Sequence, residues 1–238
     1  MSKANTFETE LLLHIFNNVD IANIGDVTGV RGSTVAGSLY LALHSADPGE
    51  ANKQDSNEIS YTGYARVAVA RASGAGGFTV STNQVTLATN MSFGTRTDSG
   101  AAIEATFFSI GVNGTAAAAT NMLYYGALVG ANLAYEFTGL DVGNTIKVPG
   151  SAYVIDDRVV FFPGAESTLP GGLSDGQILY IKSVSGTTYT LSATSTAGLN
   201  TEYNLSADGA GIVQKISTIT IAQNTTPQLT TGTKIIED

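Results

Sequence analysis

Residues 38–50 read SLYLALHSADPGE, and residues 63–69 read GYARVAV. In the first stretch Leu39, Leu41 and Leu43 alternate with other residues, which places the three leucines on one face of a β-strand. Residues 47–49, Asp-Pro-Gly, then supply what a tight turn requires. A second alternating stretch opens at Gly63. The two stretches predict consecutive strands of a β-fold, and the polar residues 50–60 between them predict an exposed excursion.

Further short strands are predicted at close intervals, at residues 78–80, 85–88, 105–110, 122–128 and 145–148. Turn signals separate them, at residues 74–77, 98–100, 112–114 and 141–144. The 27 glycines suit the many tight turns of such a chain. With 43% hydrophobic residues, the chain can bury a core. The pattern predicts an all-β fold, an antiparallel sandwich of the jelly-roll kind.

One helix is predicted near the start of the chain. Asn5 is positioned to cap it, and Glu8 follows three residues later as in a capping box. Asn17 and Asn18 supply the stop signal. The apolar residues repeat at helical spacing between these ends, at Phe7, Leu11, Leu12, Ile15 and Phe16. We therefore expect a single N-terminal helix with one apolar face, which packs on its own core or on a partner subunit.

Charge and composition exclude several classes of function. The formal net charge is −9, and the six lysines and five arginines are scattered singly, unlike the basic stripe that binds a phosphate backbone. We expect no direct binding of nucleic acid. The chain has no cysteine, so it offers no disulfides or thiolate metal sites. No apolar stretch approaches the roughly 18 residues of a membrane span, and no secretory signal is visible. These features predict a protein assembled in a bacterial cytoplasm.

The motifs above resemble a family of small β-rich virion proteins of tailed bacteriophages. Members are described as decoration, minor tail or tail-fibre proteins, and they share a leading helix and a core of the form LYLALHTADPGE…GYAR. The segments FFSIG at residues 107–111 and LYYGAL at residues 123–128 match the family in order and spacing. The resemblance covers residues 6–150 and implies a structural role in the virion.

The resemblance also implies where the first domain ends. Family domains finish with a Gly-Asp turn before a Pro-x-Gly and one last apolar strand; here residues 142–150 supply the turn, with Asn144 in place of Asp. The strand that best completes the domain is at residues 217–222. We therefore predict a base domain of residues 1–150 plus 217–238, interrupted by a small β-module of residues 151–216. Residues 223–238 are expected to form an extended C-terminal arm.

The residues that carry chemistry are sparse. The two histidines, His14 and His44, lack the spacing of a zinc helix. We expect His14 to cap the helix and His44 to anchor the turn at residues 47–48. No serine stands in a nucleophile elbow. The Asp-Gly turns at residues 175–176 and 208–209 lack the regular acidic ladder of a calcium loop, so they are expected only to make turns.

Paired carboxylates are the remaining route to catalysis. Candidates for a glycosidase pair are Asp156 with Asp157, and Glu166 or Glu202 with Asp208. Asp156 and Asp157 are adjacent, so in a strand they would point to opposite faces. The sequence therefore predicts no catalytic residue, no cofactor and no metal site, and a protein that is not an enzyme.

Together these observations predict a structural protein of the phage virion. The leading hypothesis is a capsid decoration, or cement, protein that binds the outer surface of the major capsid protein lattice and stabilises it. The alternative is a tail-fibre, collar or baseplate component that takes part in host attachment through tail proteins. In either role we expect a homo-oligomer, because symmetric assemblies favour one.

Overall fold

The computed structural model describes residues 3–22, 24–25, 28–51, 53–115, 122–195 and 201–236, with backbone alone for 130–133. Within these ranges the helix α1 spans Asn5–Asn17. The strands are β1 (Ser38–His44), β2 (Val67–Ala70), β3 (Phe78–Ser81), β4 (Gln84–Leu87), β5 (Met91–Ser92), β6 (Ile103–Ala105), β7 (Phe107–Gly111), β8 (Met122–Ala127), β9 (Val129–Leu140), β10 (Thr145–Lys147), β11 (Arg158–Phe162), β12 (Ile178–Ser185), β13 (Thr188–Ser192), β14 (Gly209–Ile216), β15 (Ile219–Ile221), β16 (Gln228–Leu229) and β17 (Lys234–Ile236).

The predicted all-β class with one N-terminal helix is confirmed, and the registered strand pairs are antiparallel. The chain forms two compact units: Met1–Gly126 with Ile219–Asp238, and Ala127–Thr218. One unit interrupts the other, but its boundaries differ from the predicted 151–216. The strands β9 and β10 lie before residue 151 and pair with strands of the second unit. Sequence periodicity can predict a strand but not the strand with which it pairs. The hydrogen bonds of β9 and β10 therefore place the start of the second unit at Ala127, earlier than predicted.

The first unit contains two larger sheets. One has the strand order β2-β1-β7-β8, and the other has the order β17-β4-β3. Leu41 and Phe108 from the first sheet and Phe78 and Val85 from the second are buried and line the same small crevice, so the two sheets share one core. The ribbons β15-β6 and β16-β5 complete the unit.

The helix α1 packs on this core through Leu12 and Phe16, both fully buried. The ring of Phe16 meets that of Phe78 edge-on, with centroids 4.9 Å apart. The predicted cap at Asn5 is wrong. Ala4 is the N-cap residue, without a side-chain hydrogen bond, and Asn5 already has helical geometry.

The predicted stop of the helix is confirmed at Asn18, which adopts the left-handed conformation with φ of 58°. Its side-chain amide also pairs with the backbone of Ser33 in both directions, at 2.7 and 2.8 Å. Arg71 donates to the carbonyls of His14 and Ile15 in the last turn, at 2.8 and 2.7 Å. Side chains from elsewhere therefore satisfy carbonyls that the helix end leaves open.

The segment 50–60 is exposed only in part, at residues such as Glu50 and Lys53, and its polar sequence does not reveal that the rest turns inward. Gln54 is fully buried, and Glu58 forms a bidentate pair with the buried guanidinium of Arg66, at 2.9 Å from Nε and 2.7 Å from Nη2. The remaining nitrogen, Nη1, donates to Gln54 Oε1 at 3.2 Å and to the carbonyl of Asn113 at 3.0 Å. The strand β2 accordingly begins at Val67, after the residues that carry this cluster.

Tyr64 extends the cluster into the sheet. Its hydroxyl donates to Glu58 Oε1 at 2.9 Å and accepts from the backbone N–H of Leu43 in β1 at 3.1 Å. Burial, with the negative charge of Glu58, raises the pKa of the Tyr64 hydroxyl, so it remains a donor. Gln54 also donates to the carbonyl of Tyr40, at 2.8 Å. Gln54 and Glu58 are thus internal partners of the sheet.

The C-terminal segment is not an extended arm over its described length. The strand β15 pairs with β6, β16 with β5, and β17 with β4. Leu229 is buried. The buried side chain of Arg96 fixes the returning chain, because its Nη1 donates to the carbonyls of Ile221 and Ala101, both at 2.9 Å. Over its described residues the segment therefore completes the sheets of the first unit.

The second unit is a closed barrel with the strand order β9-β10-β13-β12-β11-β14. Side chains fill its interior, as expected for a barrel of few strands. Phe137, Phe161 and Tyr189 are buried, and the Phe137 and Phe161 rings meet edge-on at 5.3 Å. Asn144, at the turn that the family pattern marks, has a φ of 49° and accepts the N–H of Leu205 at 2.9 Å.

The chain enters and leaves the barrel at neighbouring positions. The N–H of Ser217 donates to the carbonyl of Leu128 at 2.6 Å. A short connection can therefore replace the whole barrel without forcing the first unit apart.

We predict that replacing residues 127–218 with a short glycine-serine linker leaves a soluble first unit that unfolds cooperatively. Removing residues 151–216 should instead cause aggregation, because β9 and β10 lose β14 and β13 and keep open edges. Size-exclusion chromatography and thermal unfolding followed by circular dichroism test both deletions. An unfolded 127–218 deletion would contradict the two-unit organisation.

We predict that Glu58→Gln lowers the free energy of unfolding by about 3–5 kcal/mol, because Arg66 keeps its buried charge but loses its counterion. The matched control is Glu202→Gln. It removes a half-exposed pair with Lys182 at 3.6 Å, and it should cost about 0–1 kcal/mol. Urea unfolding measures both changes. Equal losses of unfolding free energy in the two variants would show that the buried pair stabilises the protein no more than an exposed one.

Candidate functional site

The two histidines lie on different elements and do not approach a common site. His44, at the end of β1, is fully buried. Its Nδ1 lies 2.8 Å from the carbonyl of Ser56, and its Nε2 lies 2.7 Å from the hydroxyl of Ser109. The expected anchoring of the turn at residues 47–48 is wrong, because Gly49 N–H bonds the Asp47 carboxylate there.

The partners of His44 define its protonation. A carbonyl only accepts, so Nδ1 carries the proton, and Nε2 accepts from the hydroxyl of Ser109. Burial lowers the pKa of His44, although Ser56 and nearby Glu58 act in the opposite sense. His44 therefore links segment 50–60 to β7 as a neutral ring. His14 bonds the carbonyl of Val19 through Nδ1 at 2.8 Å, next to the end of α1.

Two of the candidate catalytic carboxylates, Asp157 and Asp208, make structural contacts. Asp157 pairs with Lys215 at 2.6 Å and accepts the N–H of Val154 at 3.0 Å. Asp208 accepts the N–H of Asp141 at 2.9 Å. Asp157 thus stabilises a turn, and Asp208 tethers the β9–β10 turn. The contacts of both residues therefore stabilise the fold.

The described part of the chain contains no group of three or more His, Asp or Glu side chains placed to share a metal ion. Within the same residues, no helix is long and apolar enough to cross a membrane. Gly176 has a φ of 72°, so the Asp175-Gly176 pair makes the turn expected of it.

A groove of ligand size, with a volume of about 570 Å³, lies on the barrel. Glu136 and Thr138 of β9 line it as outward-facing residues on either side of the buried Phe137. The segment after β11 contributes a second wall with Glu166 and Ser167. The alternation of β9 and the loop that follows β11 therefore place two carboxylates around a single cleft.

Two glycines shape the groove. A Cβ atom on Gly211 would lie 2.5 Å from the carbonyl oxygen of Phe162 and 2.8 Å from the side chain of Leu169. Gly164 donates its N–H to the hydroxyl of Ser167 at 3.1 Å, which closes a tight turn beside the groove. Because neither glycine has a side chain, the loop after β11 can pack closely against β14.

No motif in the sequence marks this groove. Glu166 is recognisable there only as a possible glycosidase acid, and no pattern singles out Glu136. The available signal was the alternation of β9, which predicts outward-facing residues at 136 and 138. The neighbouring element cannot be identified from that pattern.

The comparison with protein families is decisive for the class of the protein. The model of the family described as podophage GP4 fiber I protein gp80 matches residues 3–136, which is more than half of the 238-residue chain. The chain belongs to this family. No curated protein matches it. Membership in the gp80 family makes the protein a structural component of a tailed-phage virion, as its sequence motifs predicted.

The match to the gp80 family ends inside the barrel. Residues 3–136 contain α1 and the strands β1 to β8, but only part of β9. The remainder of the barrel, and with it every groove residue except Glu136, lies outside the match. The part shared with the gp80 family is thus mostly the first unit.

We predict that the free energy of unfolding falls on acidification, in part because of His44. The unfolded histidine takes up a proton as the pH falls through about 6.5, whereas the folded one, with its lowered pKa, does not. The stabilisation is therefore complete above that pH and declines below it. His44→Gln should lose less free energy of unfolding than the wild type between about pH 7.5 and about pH 5.5.

His14→Gln, which removes the other histidine of the chain, is the control for this experiment. Urea unfolding at the two pH values measures the difference. If His44→Gln and the wild type lose equal stability, a buried neutral His44 is ruled out.

Proposed function

We propose that the protein is a component of the tail-fibre apparatus of its virion. The gp80 family match carries this proposal, because the family is described as a fiber protein. The leading sequence-based hypothesis, a capsid decoration protein, receives no specific support from the match. The fibre alternative agrees better with it.

We assign assembly into the virion to the first unit. Its N-terminal part contains most of the family match, so a role common to the family belongs there. Its two sheets, the Arg66 cluster and the Arg96 contacts form a rigid body that can hold a fixed position in an assembly. Its partners in this proposal are other tail proteins and further copies of the same chain.

We assign presentation to the barrel. It is a separate compact unit joined to the first at neighbouring chain positions, and most of it lies outside the family match. A module with these properties can vary without disturbing the assembly unit. In a fibre present in several copies, even a weak contact made by each barrel yields strong attachment through multivalency.

In this proposal the protein acts by binding and not by catalysis. Among the acids considered for a glycosidase, Asp157 is paired with Lys215 and Asp208 is bonded to the backbone at Asp141. Both carboxylates therefore make structural contacts, which supports a binding role over glycoside hydrolysis.

Labelling of intact virions tests the location. Gold-conjugated antibodies against the purified chain should mark the tail in a few copies per particle, and a cryo-electron-microscopy map should place the barrel there. Antibodies against the major capsid protein provide the control for head labelling. Density over the head lattice in hundreds of copies would overturn the proposal and restore the decoration hypothesis.

A further inference from the structure

The barrel groove concentrates negative charge that the protein itself does not neutralise. Glu136 and Glu166 are both exposed, and within the described residues neither joins an ion pair. By contrast, Asp157 and Glu202 of the same barrel pair with Lys215 and Lys182. The two groove carboxylates are thus available to a cation from outside.

The remaining lining of the groove is largely apolar. Pro149, Ala165, Ala210 and Ile212 contribute surface between and beside the carboxylates. The carboxylates come from different elements, Glu136 from β9 and Glu166 from the loop after β11. A ligand that fits has a cationic head on an apolar stem, which describes a lysine or arginine side chain.

The groove does not suit a sugar ring. Sugar recognition commonly uses an exposed aromatic face, but the aromatic residue that lines this groove, Phe137, is only 2% exposed. Its ring packs edge-on against that of Phe161 inside the barrel. A divalent cation is also a poor fit, because within the described residues no three His, Asp or Glu side chains are placed to share one ion.

We infer that the groove binds a lysine- or arginine-bearing segment of a partner protein. The cation lies between Glu136 and Glu166, and its aliphatic stem covers the apolar lining. This inference rests on the proposed function, because it gives the presented barrel a protein partner. Most of the groove lies beyond the family match, so the match by itself does not assign this recognition.

A fluorescein-labelled tetralysine amide is a suitable probe, with the full-length protein at low ionic strength. Fluorescence anisotropy should show saturable binding. The double variant Glu136→Gln/Glu166→Gln should weaken binding by about threefold to thirtyfold, as expected for the loss of two exposed charge pairs. Ala165→Arg places a cation of the chain itself in the groove wall, and it should weaken binding as well.

The matched control is Asp141→Asn/Asp175→Asn, which removes two charges from exposed turns outside the groove. It should bind tetralysine like the wild type. Equal weakening by both double variants would mean that only the net charge of −9 attracts the probe, and it would overturn the inference. Failure of the wild type to bind tetralysine would overturn it as well, as would preferential binding of a glucosamine tetramer.

The two proposals fail separately. The virion labelling locates the protein whether or not its groove binds a cation. If the protein lies in the fibre but does not bind tetralysine, the proposed function stands and the inferred cation site is wrong. If the protein lies on the head and binds tetralysine through the groove, the cation site stands and the proposed fibre role is wrong.

Discussion

The buried ion pair between Arg66 and Glu58 is the interaction on which the first unit depends. A buried guanidinium is costly unless its hydrogen-bonding groups are satisfied. Here the partners come from segment 50–60 and from the carbonyl of Asn113, while Tyr64 joins the same carboxylate to β1. Satisfying one charge therefore holds several separate stretches of chain in place. His44 adds a further connection through Ser56 and Ser109.

The other buried arginine, Arg96, solves a different problem, the return of the chain after the barrel. A strand of three residues such as β15 supplies few ladder bonds of its own. Arg96 adds side-chain bonds to Ile221, and its backbone exchanges hydrogen bonds with Asn224 and Thr225 at 2.8 and 3.0 Å. Because the segment after the barrel is secured in this way, the first unit is complete despite the interruption.

The barrel combines a fixed interior with an adaptable exterior. Alternation along each strand sends one set of side chains into a core of aliphatic and aromatic residues and the other set to the surface. Changes at the outward positions leave the core intact, so the surface of the barrel can vary without loss of the fold. The charge of the groove follows from this arrangement, since Glu136 and Thr138 flank a buried Phe137. A presentation role for the barrel, as proposed above, would use both properties, a stable fold and a surface that can change.

The sequence by itself determined the all-β class, the extent of α1 to within a residue, and the approximate positions of β1, β3, β4, β8 and β10, because these depend on local periodicity and turn chemistry. Its motifs also determined the class of virion protein. Only the tertiary structure decided that Gln54 and Glu58 are internal, that residues after Ile219 join the sheets, and that β9 and β10 belong to the barrel. Each of these depends on a partner distant in sequence. A polar residue looks the same in the sequence whether it meets water or a buried arginine, and a strand does not specify its neighbour. The groove shows the same limit, because Glu136 and Glu166 are brought to one cleft only when the barrel closes.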